Sequence, residues 1–186
     1  TMMSSHSYST LSGSTQATPP TIIVIFGASG DLTARKLAPA IFNLSKDGLL
    51  PSFCHLIGYG RSEMTDDAFR RYLKKSLESH SRRKIEEENW NSLSANISFH
   101  AGPYDNLESF EKLEEKISVI EKAIGSPAQC LFYVSTPPGV FMPILENLGA
   151  SGLAKRHQGQ NTASKVIIEK PFGRDLTSAH ELNEVI

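Results

Sequence analysis

The first residues with the types and spacing for chemistry are two glycines, separated by two residues, that follow an apolar run. The run is "IIVIF", residues 22–26, and the turn after it is Gly27-Ala28-Ser29-Gly30. Gly27 permits a tight turn and Gly30 permits a close backbone approach, while the amide groups and dipole of a following helix attract an anion. This arrangement predicts a site for the pyrophosphate of a dinucleotide.

The glycine spacing alone leaves two interpretations open. The pattern is G-x-x-G instead of the full G-x-G-x-x-G, with Thr33 and Ala34 where a third glycine would be expected. A plain strand-to-helix turn explains such spacing about as often as a nucleotide site does. A P-loop is disfavoured because no Gly-Lys-Ser/Thr follows Gly30.

Arg61 is the second residue with a chemical role, because it directly follows the apolar run "CHLIGYG", residues 54–60. In a dinucleotide-binding βαβ unit, the end of the second strand contacts the adenosine ribose. An acidic residue there accepts hydrogen bonds from a 2′-hydroxyl, whereas a guanidinium matches a 2′-phosphate. Arg61 therefore indicates NADP instead of NAD, with a solvated surface arginine as the alternative.

The elements that must position these residues alternate along the chain, with short apolar runs between longer amphipathic segments. Strands are predicted at residues 22–26, 54–60, 96–100, 130–135 and 165–169. Such alternation is typical of a parallel sheet with crossover helices. The fold class predicted is α/β, a Rossmann-like doubly wound parallel sheet.

Capping and apolar spacing predict the helices. Thr65 is a good N-cap for a helix that carries Phe69, Leu73 and Leu77 on one face. A second helix ends at Gly125. Its apolar face is predicted to consist of Leu107, Phe110, Leu113, Ile117, Ile120 and Ile124. After the glycine turn, Asp31 is expected to act as an N-cap and Pro39 to kink the helix.

Composition bounds the possible partners of this 186-residue chain. A formal net charge of -1 gives no general attraction to nucleic acid, and the apolar runs are too short to span a membrane. Residues 1–20, rich in serine and threonine and without charged residues, are predicted to be a disordered tail before one domain at 21–186. Cys54 and Cys130 lack metal-ligand spacing and are predicted to be buried thiols in a cytoplasmic protein.

Five segments, taken in order, resemble the glucose-6-phosphate dehydrogenase family. They are "GASGDLTARKLAPAIFNL", "GLLP", "IGYGRS", "FYVSTPP" and "VIIEKPFGRDL", and the resemblance runs from Ile22 to the end of the chain. The last of them is the most specific. The resemblance implies an NADP-binding coenzyme domain. It also implies oxidation of glucose 6-phosphate at C1 to 6-phosphogluconolactone, the first step of the oxidative pentose phosphate pathway.

The resemblance also assigns expected site residues. The segment that wraps the NADP phosphates would consist of Gly27, Ala28, Ser29, Gly30, Asp31, Leu32, Thr33 and Ala34. Ser29 and Arg61 would address the 2′-phosphate. The "STPP" segment, which ends at Pro138, would border the nicotinamide half, near Phe141, where the family often has tyrosine. Lys170 would reach both the sugar substrate and the nicotinamide, positioned by a cis proline at Pro171.

The family's catalytic base is a histidine in an Arg-Ile-Asp-His-Tyr segment, which has no match up to Ile186. We therefore expect no catalytic residue in this chain, an inactive fragment, and a coenzyme domain incomplete at its C-terminal end. The C-terminal α+β domain is expected to be missing. The full-length enzyme is expected to be a homodimer or homotetramer.

Two alternatives belong to other classes. A noncatalytic NADP-binding or sensor module would retain the glycine turn and Arg61 without substrate chemistry. A short-chain reductase or epimerase would need a Tyr-x-x-x-Lys pair after the fourth strand, and the tyrosines of this chain do not supply one there.

Overall fold

A five-stranded parallel sheet organises the described part of the chain. The computed structural model describes residues 18–30, 33–80 and 84–168. The strands are β1 (Thr21–Phe26), β2 (Cys54–Gly60), β3 (Ile97–Ala101), β4 (Gln129–Val134) and β5 (Lys165–Ile168). Each predicted strand is confirmed to within one residue at the ends that lie in the described part of the chain.

The strand order is β3-β2-β1-β4-β5, and every neighbouring pair is parallel. The chain moves outward from β1 to β3 and then returns to the other side of β1. Phe26, at the end of β1, lies opposite Tyr59 of β2 and Val134 of β4. The order thus reverses between β1 and β4, and such switch points are where open α/β sheets bind ligands.

Helices cover both faces of the sheet. They are α1 (Ala38–Lys46), α2 (Asp66–His80), α3 (Glu87–Ser94), α4 (Leu107–Ile124) and α5 (Phe141–Ala150), with short 3₁₀ turns at Pro138–Val140 and Leu153–Lys155. One core contains Phe110 and Ile117 of α4 and Ile144 of α5. The other contains Phe42 of α1 and Phe69 of α2. The doubly wound arrangement is confirmed.

The helix ends follow the capping chemistry. The Thr65 hydroxyl accepts a hydrogen bond from the Ala68 amide at 3.1 Å, and the helix that carries Phe69 begins at Asp66. In α4, Gly125 adopts a φ of 69° at the C-terminus. The predicted apolar face is correct except at Leu107, which is 38% exposed because it is the first residue of the helix, ahead of the turns that pack on the sheet.

Pro39 is predicted to kink a continuous helix, but it lies instead at the start of one. Residues Thr33–Leu37 make a π-helical turn, and α1 begins at Ala38, so Pro39 lies in the first turn of the α-helix. Proline has no amide hydrogen and its ring crowds the carbonyl four residues back, which favours a helix start at this point. The wider π turn therefore connects the glycine turn to α1.

Cys130 is buried as predicted, whereas Cys54 is only half-buried, since it is the first residue of its strand. Burial raises the pKa of the Cys54 thiol to about 11 and that of the Cys130 thiol to about 12. Neither forms a disulfide. No helix within the described ranges is long and apolar enough to cross a membrane.

Candidate dinucleotide-binding site

The glycine turn lies at the switch point and is held against the end of β2. The Gly27 and Ala28 amides both donate to the carbonyl of Tyr59, at 2.9 Å and 3.3 Å. The Gly30 amide donates back to the Gly27 carbonyl at 2.9 Å. The turn is therefore closed on itself and attached to the neighbouring strand.

The structure supplies the physical reason for the first glycine. Gly27 has a φ of 84°, and a Cβ there would lie 2.9 Å from the Ser135 carbonyl oxygen and 3.1 Å from the Thr136 methyl group. Real Cβ atoms do not approach backbone so closely, and only glycine adopts this φ readily. Gly27 thus allows the carboxyl ends of strands β1 and β4 to lie close together.

Ser29 and Arg61 lie at the tip of β2, where the resemblance places a 2′-phosphate. Both are exposed. A Cβ on Gly60 would lie 3.4 Å from the Ser29 hydroxyl oxygen, and Arg61 is the next residue along the chain. The Tyr72 hydroxyl of α2 donates to the Ser29 carbonyl at 3.1 Å, which fixes the backbone at this corner. The structure therefore places the Ser29 hydroxyl beside the end of β2, where Arg61 begins.

Tyr104, which the sequence analysis does not assign to this site, supports Arg61. The Arg61 guanidinium carbon lies 5.3 Å from the centre of the Tyr104 ring, within the range of a cation–π contact. The ring is 6% exposed and stacks on Tyr59 with 5.6 Å between ring centres. Burial raises the pKa of Tyr104, while Arg61 and the Gly27 backbone act in the opposite direction. In the sequence, Tyr104 could have been noticed only as an aromatic residue shortly after the third predicted strand.

Thr33 faces the protein interior. It is 1% exposed, and its hydroxyl donates to the Gly27 carbonyl at 3.1 Å and lies 3.3 Å from the Ser135 hydroxyl oxygen. The Ser135 hydroxyl in turn lies 3.1 Å from the Phe26 carbonyl oxygen. Thr33 thus contacts the glycine turn and the end of β4 instead of solvent.

The segment after β4 forms the other wall of the crevice. Thr136 is 4% exposed, and its hydroxyl has no hydrogen-bond partner among the described residues. Pro138 is exposed and opens the 3₁₀ turn that precedes α5. Phe141 is instead buried in the core with Ile144. Its predicted contact with the cofactor stays a prediction.

Several expected residues cannot be placed in this way. Asp31, Leu32, Lys170 and Pro171 lie outside the described residues, and for Ala34 only the backbone in the π-helical turn is described. Their roles remain those that the resemblance implies.

The placed residues fit a nicotinamide dinucleotide. A turn in which Gly27 leaves no room for a Cβ borders a crevice that contains the buried Thr136 hydroxyl, which has no partner among the described residues, and Arg61 lies at the adjacent strand end. A recess of 430 Å³, lined by Glu63, Met64, Thr65 and Ala101, lies where β2 and β3 end. Within the described ranges, no group of three or more His, Cys, Asp or Glu residues is arranged to hold a metal ion.

Comparison with known proteins identifies the family. A family model described as the NAD-binding domain of glucose-6-phosphate dehydrogenase matches residues 24–186. Glucose-6-phosphate 1-dehydrogenase of Chlamydia pneumoniae is 40% identical over 169 residues, which cover 90% of this chain and 33% of the relative. The enzyme of that name from Hanseniaspora uvarum is 38% identical, with 88% of this chain and 33% of the relative covered.

A solved structure agrees with these relatives. A glucose-6-phosphate dehydrogenase in complex with its substrate glucose-6-phosphate superposes with a TM-score of 0.73 at 34% identity, covering 90% of this chain and 34% of that one. The chain therefore spans about a third of the length of the relatives it matches. It belongs to the glucose-6-phosphate dehydrogenase family, and the matched residues correspond to the NAD-binding domain of that family.

Proposed function

We propose that residues 21–186 form the N-terminal coenzyme domain of an NADP-dependent glucose-6-phosphate dehydrogenase. The observation that carries the proposal is the glycine turn at the switch point with Arg61 at the end of the neighbouring strand, in a chain of this family. The full-length protein would oxidise glucose 6-phosphate at C1 to 6-phosphogluconolactone, in the oxidative pentose phosphate pathway.

The proposed roles follow the geometry of the crevice. The backbone from Gly27 to Gly30 would receive the pyrophosphate. Ser29 and Arg61 would bind the 2′-phosphate, because a charge-assisted contact from guanidinium to phosphate suits an exposed strand end. The exposed Pro138 would border the nicotinamide half. NADP itself supplies the hydride acceptor, so this domain contributes binding and orientation.

Substrate contact in this chain would come from Lys170, and the general base would come from a histidine outside it. These two roles rest on the resemblance alone. The Arabidopsis thaliana relative is named as a cytoplasmic form, and we extend that location to this protein. A homodimer or homotetramer is the assembly proposed for the full-length enzyme.

The cofactor proposal is tested by calorimetric titration of the chain with NADP⁺ and with NAD⁺. Losing a hydrogen bond to a charged group costs about 1.5 to 3 kcal/mol, so Arg61→Ala should weaken NADP⁺ binding roughly 10- to 100-fold. NAD⁺ has no 2′-phosphate, and its affinity should stay the same. Arg71→Ala, at an exposed position on α2, is the matched control and should change neither affinity.

The outcomes separate the proposals. NADP⁺ binding that persists unchanged in Arg61→Ala would show that the specificity residue has been misplaced. A chain that folds and binds neither dinucleotide would contradict the whole assignment. In the full-length protein, NADP⁺ binding without reduction on addition of glucose 6-phosphate would favour the noncatalytic sensor module.

A further inference from the structure

Two hydroxyl groups, those of Thr33 and Ser135, join the three segments that meet at the switch point. Thr33 belongs to the π-helical turn, and Ser135 follows β4. The backbone groups they contact, the carbonyls of Phe26 and Gly27, belong to the end of β1 and the start of the glycine turn. These side chains therefore connect parts of the chain that are about a hundred residues apart.

Counting protons shows how the pair is ordered. There are contacts of 3.1 Å from Thr33 to the Gly27 carbonyl, 3.3 Å between the two hydroxyl oxygens, and 3.1 Å from Ser135 to the Phe26 carbonyl. Two hydroxyl protons cannot serve all of these contacts. The Thr33 proton goes to the Gly27 carbonyl and the Ser135 proton to the Phe26 carbonyl, which also accepts from the Ser135 amide at 3.1 Å, so the two hydroxyl oxygens lie side by side at 3.3 Å.

The Thr33 hydrogen bond helps to fix one peptide plane. The Gly27 carbonyl accepts from both the Gly30 amide and the Thr33 hydroxyl, while the amide on the other side of the same plane, that of Ala28, donates to Tyr59. Because the peptide unit is planar, holding both ends of it sets the direction of the backbone that continues through Ser29. The turn is then oriented before any ligand arrives.

We propose that Thr33 is a positioning residue for the dinucleotide, acting through the glycine turn instead of touching the ligand. The inference rests on the proposed function. It differs from the role that the resemblance gives Thr33, since a residue 1% exposed whose only side-chain proton is engaged by Gly27 has no donor left for a phosphate. Since the pyrophosphate is common to both dinucleotides, loss of the Thr33 hydroxyl should affect NADP⁺ and NAD⁺ equally.

The test compares Thr33→Val, which keeps the shape and removes the donor, with Thr33→Ser, which keeps the donor. A neutral hydrogen bond corresponds to about a 2- to 10-fold change in an equilibrium constant, so Thr33→Val should weaken both NADP⁺ and NAD⁺ by about that factor. Thr33→Ser should restore the parent affinities. Thr162→Val is the matched control, because Thr162 is also buried but lies before the start of β5, at the amino-terminal end of the strands and away from the glycine turn.

Each result decides something. Equal weakening of both dinucleotides, rescue by serine and no effect of the control support the inference. A Thr33→Val chain that binds both as tightly as the parent, or a control that weakens binding as much, overturns it while leaving the proposed function intact. If Thr33→Val fails to fold by circular dichroism, Thr33→Ala removes the same donor with a smaller side chain, and unchanged affinity for both dinucleotides in that variant overturns the inference. A parent chain that binds neither dinucleotide overturns both.

Discussion

At the residue scale, the proposed specificity residue, Arg61, is recognisable from the sequence, whereas Tyr104, which contacts it, is not. Arg61 is exposed on a strand end, where a flexible cation ordinarily samples many rotamers. The face of the Tyr104 ring contacts the Arg61 guanidinium and limits the rotamers it can adopt. Since burial raises the pKa of Tyr104, the phenol stays neutral at physiological pH, and the contact is with the ring face and not with a phenolate. The ring therefore restricts the guanidinium without neutralising its charge.

Gly27→Ala is expected to damage both stability and binding. An alanine at a φ of 84° is strained by about 1 to 2 kcal/mol. Its Cβ would also lie 2.9 Å from the Ser135 carbonyl oxygen, which has little freedom to move because the Ser135 amide is bonded to Phe26. We expect a loss of unfolding free energy larger than the strain alone, measured by urea denaturation, and weaker NADP⁺ binding by calorimetry.

Gly125→Ala is the matched control for the backbone strain. Gly125 has a φ of 69°, but a Cβ there would meet nothing within 4 Å. This variant should lose only the strain energy, about 1 to 2 kcal/mol, and should bind NADP⁺ normally. Equal losses of stability in the two variants would contradict the steric argument at the switch point.

A site residue can be recognised from the sequence when it follows a predicted strand along the chain. Gly27 and Arg61 are recognisable because each directly follows a predicted strand, where a parallel sheet places its ligands, whereas the role of Ser29 is indicated only by the resemblance. Tyr104 and the pairing of Thr33 with Ser135 are not recognisable, since they depend on which strand ends lie side by side. Strand order, and not residue type, brings those groups together.

At the element scale, β3 is an edge strand of the described sheet with its outward backbone groups covered by charged side chains. Arg70 Nε donates to the Ile97 carbonyl at 2.9 Å, and the Phe99 amide donates to Asp66 at 2.8 Å. From the other face, Lys116 Nζ donates to the Phe99 carbonyl at 2.8 Å. An uncovered edge is a template for pairing with another chain, so these contacts protect the sheet from association.

Lys116→Met should expose this edge. The substitution keeps most of the apolar stem but removes a charged donor, and such hydrogen bonds are worth about 1.5 to 3 kcal/mol. Burial lowers the pKa of Lys116, with Asp66 acting against the shift. We expect a lower unfolding free energy by about 1 to 2 kcal/mol and self-association in sedimentation velocity at high protein concentration.

Lys112→Met, one turn earlier on α4, is the control. The Lys112 side chain is 65% exposed and pairs with Glu108 at 3.5 Å, and exposed pairs of this kind contribute about 0.3 to 0.5 kcal/mol. It should therefore remain close to the parent in stability and should not self-associate. Identical behaviour of the two variants would mean that Lys116 does not protect the edge.

The elements themselves were largely predictable because each carries a local pattern. Continuous apolar runs locate the strands, and Thr65 and Gly125 mark helix ends through their own backbone chemistry. The π-helical turn before α1 could not be predicted. It depends on Pro39 together with the position of Thr33 under the glycine turn, which is a tertiary contact.

At the scale of the whole molecule, the two hydrophobic cores pack on opposite faces of one sheet. A cluster of charged side chains holds the loop that precedes β5. Arg156 pairs with Glu114 at 2.6 Å and with Glu121, and His157 lies 3.0 Å from Glu121. Glu121 also accepts the Ala128 amide at 2.8 Å. The cluster thus attaches the loop before β5 to α4, which already packs on β1 and β4.

Stability of the whole molecule should fall below neutral pH because it contains two half-buried histidines, His55 and His100, whose neutral form is favoured in the folded state. Burial, helped by Lys116, lowers the pKa of His55 to about 4, and burial also lowers that of His100. The unfolded chain has its ordinary histidine pKa of about 6.5 and so binds more protons between pH 6.5 and 4. Unfolding free energy should decrease through that window by up to about 1.4 kcal/mol per pH unit for each extra proton, measured by urea denaturation at a series of pH values.

In His55→Gln this slope should become shallower, since one titrating group is gone and its contact with Ser98 no longer involves a basic nitrogen. A slope as steep as that of the parent would show that His55 is not the group whose protonation opposes folding.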